Sequence, residues 1–75
     1  MNSQEKHISI YTDGSSRGNP GPGGYGAVIG FDAGILAEHD YVYEIGGHDA
    51  HTTNNRMELM GVIASLRTVQ EEVKK

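Results

Sequence analysis

The chain has 75 residues, enough for one small domain and too few for two. It contains no cysteine, so neither a disulfide nor a thiolate metal site can staple a fold of a size that buries only ~60% of its unfolded surface. Six Lys and Arg against ten Asp and Glu, a formal net charge of −4, argue against a passive nucleic-acid binder driven by counterion release. A metal-dependent site survives that exclusion, because divalent cations offset local negative charge. No stretch is long and apolar enough to span a bilayer, and Met1 to Lys6 lacks the apolar core of a secretory signal. No membrane partner and a cytoplasmic location are therefore expected.

In chain order, His7 to Thr12 alternates Ile8 and Ile10 with polar neighbours, as a half-buried strand should. Gly14 to Gly24, rich in Gly, Pro and Ser, reads as an ordered loop or turn. Tyr25 to Phe31 reads as a second strand with Ala27, Val28 and Ile29 at its centre. Asp40 to Ile45 reads as a third, with Tyr41 and Tyr43 on one covered face. A helix is expected from near Thr53 to about Val73. Its apolar residues Leu59, Val62, Leu66, Val69 and Val73 step by three and four, one face of a 3.6-residue period. That helix is expected to cover one face of the sheet.

Two motifs invite readings that their context weakens. Gly21, Gly23 and Gly26 fit G-x-G-x-x-G, but a dinucleotide fingerprint needs a helix next, and Ala27-Val28-Ile29 is strand-like. His48 and His51 stand three apart, as a zinc pair can. They fall in an expected loop without a second ligand pair, so solvated histidines are the better account. Met57 and Met60 read as packing residues.

Asp13 and Glu58 each have an ordinary structural explanation. Asp13 at a strand end, before Gly14, can serve an Asx-turn. With Asn55 as N-cap, Glu58 falls at the third helical position, where it closes a capping box or favours the helix dipole. Their surroundings change the balance. Tyr11-Thr12-Asp13-Gly14-Ser15 and Thr52-Thr53-Asn54-Asn55-Arg56-Met57-Glu58-Leu59 each place a carboxylate at the edge of an element. Each surrounds it with small or amide-bearing residues that can approach a sugar-phosphate backbone. Two such segments together suggest metal-assisted chemistry on a nucleic acid.

These segments, with Gly18 to Ala27 (Gly-Asn-Pro-Gly-Pro-Gly-Gly-Tyr-Gly-Ala), strongly resemble the N-terminal half of type-1 ribonuclease H, from about Ile8 to Leu66. The resemblance implies a ribonuclease H-like α+β fold, here three antiparallel strands followed by one helix, with residues 1–75 forming a single partial domain. It implies a metal-dependent endonuclease that hydrolyses the RNA strand of RNA–DNA hybrids. Asp13 and Glu58 would be its first two metal-binding carboxylates. Gly14, Asn19, Asn54 and Asn55 would contact the hybrid, Thr53 would help hold a phosphate of the DNA strand, and Arg56 would assist nearby. Members of the family carry a third carboxylate in a strand after this helix, then a fourth acid and a histidine. Glu71 and Glu72 cannot replace these, since a helical rise of 1.5 Å per residue puts them roughly 20 Å from Glu58.

The residue types suit that chemistry. Two-metal phosphodiester hydrolysis needs hard oxygen ligands for Mg²⁺, with Mn²⁺ as the alternative ion. Choosing RNA means touching the 2′-hydroxyl, both donor and acceptor, and asparagine amides carry both functions. A helix N-terminus beside Thr53 favours a phosphate. Without the strand that follows the helix in the family, the first strand exposes an unpaired edge, and self-association through it is expected. The second functional reading is a non-catalytic hybrid-binding or assembly module that lacks the complete active site.

Overall fold

The computed structural model describes residues 5–75 and consists of β1 (Ile8–Ser16), β2 (Gly21–Phe31), β3 (Tyr41–Thr52) and α1 (Asn54–Lys74). The strands form one antiparallel sheet in the order β1-β2-β3, so three antiparallel strands precede one helix, as expected. The register sets Ile10 opposite Ile29 and Ile29 opposite Tyr43. Alternation then gathers Ile10, Ala27, Ile29, Phe31 and Tyr43 on one face. Helix α1 packs on that face, chiefly over β1 and β2.

All three strands outrun the residues that their apolar alternation marks. β1 continues through Asp13 and Gly14 to Ser16, β2 starts at Gly21, and β3 runs past Ile45 to Thr52. The Gly-rich segment from Gly14 to Gly24 is thus mostly strand, which corrects its reading as a loop. The connection shrinks to residues 17–20, closed by the Arg17 N–H donating to the Pro22 carbonyl at 2.8 Å. Within it Gly18 takes a positive φ of 84°, open to glycine at little cost, and the Asn19–Pro20 peptide is cis. His48 and His51 likewise lie on β3 and not in a loop. Glycine is depleted in strands because it offers no side chain to pack. Here the ladder between β1 and β2 supplies the backbone bonds regardless.

Helix α1 begins and ends close to the expected limits, but its cap differs. Thr53 is the N-cap, its hydroxyl accepting the Arg56 N–H at 3.2 Å. Asn55 is therefore not the cap, Glu58 does not fall at the third position, and no acidic residue occupies the first turn. Both structural explanations of Glu58 lapse with that cap.

The face of α1 that meets the sheet is not the apolar stripe. The residues buried there are Met57, Gly61 and Ser65. Gly61 stands over Thr12 and Tyr25. The Ser65 hydroxyl donates to the Gly61 carbonyl at 2.7 Å, so a polar side chain is buried without an orphaned group. Leu59, Val62, Leu66 and Val73 face outward, Leu59 59% and Leu66 56% exposed, and Met60 is exposed as well. The cause is a close crossing at Gly14. A Cβ built there would stand 2.6 Å from the Met57 carbonyl carbon and oxygen and 2.8 Å from Glu58 N. A helix backbone seated that low on a strand leaves room beneath it only for small side chains. Branched residues turn away from the sheet, and the buried apolar residues of the described chain are Ala27, Ile29, Phe31 and Met57. Phe31 meets Tyr43 edge to face at 5.6 Å.

The far end of α1 is tied to β3 by a polar contact. The Tyr43 hydroxyl donates to Glu72 Oε1 at 2.7 Å, and Lys75 Nζ lies 3.0 Å from Glu72 Oε2. The Tyr43 hydroxyl, then Lys75, holds the Glu72 carboxyl below its ordinary 4.5. The same bond to Glu72, then burial, raises the Tyr43 phenol above 10.0. A depressed carboxyl contributes stability above its unfolded value and loses it as pH falls through the folded one. A raised phenol contributes below its unfolded value and loses it as pH rises. The melting-temperature gap between the wild type and Tyr43→Phe should thus stay constant between about pH 5 and 9 and close toward acid. A gap unchanged at about pH 3 would remove Glu72 as the partner that matters.

The Gly14 crossing makes its own prediction. Gly14→Ala should cost about 1–3 kcal/mol, seen as a lower urea midpoint. Gly26→Ala, directly opposite Asp13 with its nearest atom 4.0 Å away, should stay within about 0.5 kcal/mol. Equal effects at both positions would contradict the close approach.

Candidate active site

Asp13 lies inside β1, where the sequence reading put it at the strand's end, and its side chain is exposed. By alternation Asp13 faces away from α1, together with Tyr11, Val28 and Glu44, along an open hollow of about 460 Å³. Gly14 follows it and faces the helix. Because a Gly14 Cβ would touch Glu58 N, the Asp13 Cα and Glu58 N lie within roughly 8 Å of each other. Glu58 is exposed too. The two carboxylates thus leave neighbouring backbones, one from the strand and one from the helix crossing it. β1 is an edge strand, so no neighbouring strand covers them from its outer side among the described residues.

A second link joins the same two elements one step further on. The Ser16 N–H donates to Asn54 Oδ1 at 2.6 Å, and Ser16 Oγ lies 3.2 Å from that oxygen and 2.7 Å from the Gly18 carbonyl. The turn that carries Asn19 is thereby tied to the N-terminus of α1, which carries Thr53, Asn54, Asn55 and Arg56. Asn19, Asn54, Asn55 and Arg56 are exposed, and Thr53 is half-buried with its hydroxyl committed to the cap. Of the residues singled out by sequence, Asp13, Gly14 and Glu58 meet at the crossing. Asn54 lies at the clamp, with Thr53, Asn55 and Arg56 in the helix turn beside it and Asn19 in the turn that the clamp reaches through Gly18. Ser16 was missed. Nothing in its neighbourhood marks a serine that bonds a residue 38 positions away.

The arrangement fits a hard divalent cation in donor type. Mg²⁺ takes oxygen ligands and is commonly held by one or two carboxylates, with waters and substrate phosphates completing its shell. Asp13 and Glu58 supply two such carboxylates, and both are open to solvent. Among the described residues no group of three or more His, Cys, Asp or Glu converges, so no third side chain of these types joins Asp13 and Glu58. His48 and His51 join no such group either. No helix is long and apolar enough to cross a membrane.

The family profile described as RNase H matches residues 5–74. The ribonuclease H of Aeromonas salmonicida is 56% identical over 64 residues, which are 85% of this chain and 37% of that protein. The ribonuclease H of Pseudoalteromonas atlantica is 51% identical over 69 residues, 92% of this chain and 40% of that protein. That of Bartonella tribocorum is 48% identical over 71 residues, 95% of this chain and 41% of its own length. The chain spans about two fifths of the length of these curated relatives. With the profile covering nearly every residue and relatives about half identical over most of its length, the chain belongs to the ribonuclease H family.

Proposed function

We propose that this chain supplies part of a metal-dependent endonuclease site that hydrolyses the RNA strand of RNA–DNA hybrids. In this reading residues 1–75 are the N-terminal portion of one ribonuclease H-like domain. The observation that carries it is the Gly14 crossing, which sets Asp13 and Glu58 on adjoining backbones. That the relatives are ribonucleases H supports the substrate class.

Asp13 and Glu58 would hold Mg²⁺, or Mn²⁺ in its place, through their carboxylate oxygens. When bound, such ions supply an activated water and neutralise charge on the leaving oxygen. The chain's own part is positioning. The free N–H groups at the start of α1, beside Thr53, offer a phosphate of the DNA strand an anion site, with Arg56 adding charge at the same turn. Asn19, exposed on the β1–β2 turn, presents that side of the groove, and Gly14 serves it from beneath α1, where the absence of a side chain lets the helix come close. Asn55, exposed on the first turn, can both donate to and accept from a 2′-hydroxyl.

The outward stripe on α1 and the free edge of β1 favour further protein contacts, either the remaining part of such a domain or a second copy of this chain. The limit of two acidic ligands favours a second reading, a hybrid-binding or assembly module without catalysis.

Cleavage of a labelled RNA–DNA hybrid decides between them. The 75-residue chain would be assayed alone and mixed with the part of the Aeromonas salmonicida ribonuclease H that it does not match. Mg²⁺-dependent cleavage in the mixture, falling on the order of a hundredfold or more with Asp13→Asn or Glu58→Gln, is the expected result. Hybrid affinity that persists without Mg²⁺ and in Asp13→Asn, with no cleavage in any mixture, would sink the nuclease reading.

A further inference from the structure

The Ser16–Asn54 bond fixes more than the turn. A backbone N–H can be met only by an acceptor, so the 2.6 Å contact requires the Asn54 carbonyl oxygen, not its amide nitrogen, to face Ser16. The Ser16 hydroxyl has a single proton, and the 2.7 Å contact to the Gly18 carbonyl takes it in preference to the 3.2 Å contact to Asn54. The backbone N–H is therefore the bond that orients the carboxamide. A carboxamide is planar, so its –NH₂ projects on the arm opposite the engaged oxygen, from a side chain that is exposed on the first turn of α1.

We propose that Ser16 is a positioning residue that holds Asn54 as a donor-only contact: the Asn54 oxygen is turned inward, against the Ser16 N–H and Oγ, so that this side chain meets nucleic acid through its N–H groups. The inference rests on the hybrid-binding reading above and sharpens it. The expectation that both asparagines address a 2′-hydroxyl as donor and acceptor is narrowed to Asn55. Asn54 takes acceptors instead, and two kinds lie together in a hybrid's minor groove. One is the 2′-hydroxyl oxygen of the RNA strand. The other is the base N3 or O2 acceptor, which A·T and G·C pairs alike present. A donor-only contact to base acceptors does not depend on sequence, whereas an acceptor would single out the guanine N2 amine. The clamp thus suits an interface that must tolerate any sequence.

The test has an arm that needs no nucleic acid. Amide hydrogen exchange at Ser16 is measured by NMR in the 75-residue chain, in Asn54→Ala and in Asn54→Asp, with circular dichroism confirming that each variant keeps its helix. Asn54→Asp retains the acceptor and Asn54→Ala removes it, so exchange at Ser16 should quicken about tenfold in Asn54→Ala alone. An equal rate in all three proteins overturns the clamp.

The second arm titrates an RNA–DNA hybrid and a DNA duplex of the same sequence at fixed salt, following the Asn54 side-chain amide signals and the affinity. Those signals should shift while the Ser16 amide does not, and both variants should bind several-fold more weakly. A loss confined to the hybrid assigns the 2′-hydroxyl oxygen, and an equal loss in both duplexes assigns the base acceptors. Either result supports the donor-only role. Wild-type affinity in Asn54→Asp, or a Ser16 amide that itself moves onto the nucleic acid, contradicts it. Unchanged Asn54 side-chain signals and affinities in a mixture that restores hybrid cleavage would overturn the donor role, whereas no binding and no cleavage in any mixture would fail the functional reading, with the Ser16 exchange rates deciding the clamp in either case.

Discussion

The fold depends on one contact between backbones, the crossing of β1 by α1 at Gly14. There is no space for even a methyl group between the strand and the Met57–Glu58 peptide. That single distance fixes the height of the helix above the sheet, and other features follow from the height. It admits Gly61 and Ser65 beneath the helix, and it leaves Met57 as the one large apolar side chain of α1 that is fully buried. It sets Asp13 beside Glu58. Near the start of the helix it brings Asn54 within reach of Ser16.

Close docking has an energetic cost that falls on the apolar stripe. A fully buried Leu or Val contributes roughly 1.5–3 kcal/mol relative to an exposed one. Leu59, Val62, Leu66 and Val73 forgo most of that, and the sheet recovers little, since its buried apolar residues are Ala27, Ile29 and Phe31. The helix is held instead by backbone proximity and by polar ties at its two ends, Ser16–Asn54 and Tyr43–Glu72. Such ties specify where the helix lies more than they stabilise it, because each protein hydrogen bond replaces one with water. Among the described residues, then, the helix is placed by geometry more than by burial.

How much of this was legible in the sequence depends on how local each cause is. Ile8 and Ile10 alternate because their strand is half-buried, and the pattern is visible in isolation. The limits of α1 were legible for the same reason, since steps of three and four mark a helix whichever way it faces. The direction in which it faces was not legible, because a glycine on a distant strand decides it. The same glycine hid the continuation of β1. Asp13-Gly14 reads locally as a turn, and only the pairing of Asp13 with Gly26 and Gly14 with Tyr25 keeps the chain extended. The cap at Thr53 in place of Asn55 follows from where β3 ends, one residue before it. The paired carboxylates were found through the resemblance of whole segments. The Ser16 bond, made by a backbone N–H, leaves no mark on residue type at all.

A site split between β1 and α1 has a thermodynamic consequence. Asp13 and Glu58 come onto adjoining backbones only when the helix docks, so in the proposed reading the unfolded chain would offer a cation two independent carboxylates and the folded chain a pair. The same holds for the groove walls, since the turn that carries Asn19 is tied to the helix N-terminus through Ser16 and Asn54. Whatever binds the assembled pair and not its separated members stabilises the docked state by RT ln(1 + [L]/Kd), which is about 2.7 kcal/mol at a hundredfold excess over Kd. In a domain with a large core that increment is minor. In this one, where docking is set by a glycine and a few polar ties, it is comparable to what Met57 contributes by its burial. In the proposed reading, binding the ion and the hybrid and completing the fold are therefore one equilibrium, and the residues that place α1 on β1 act on both together.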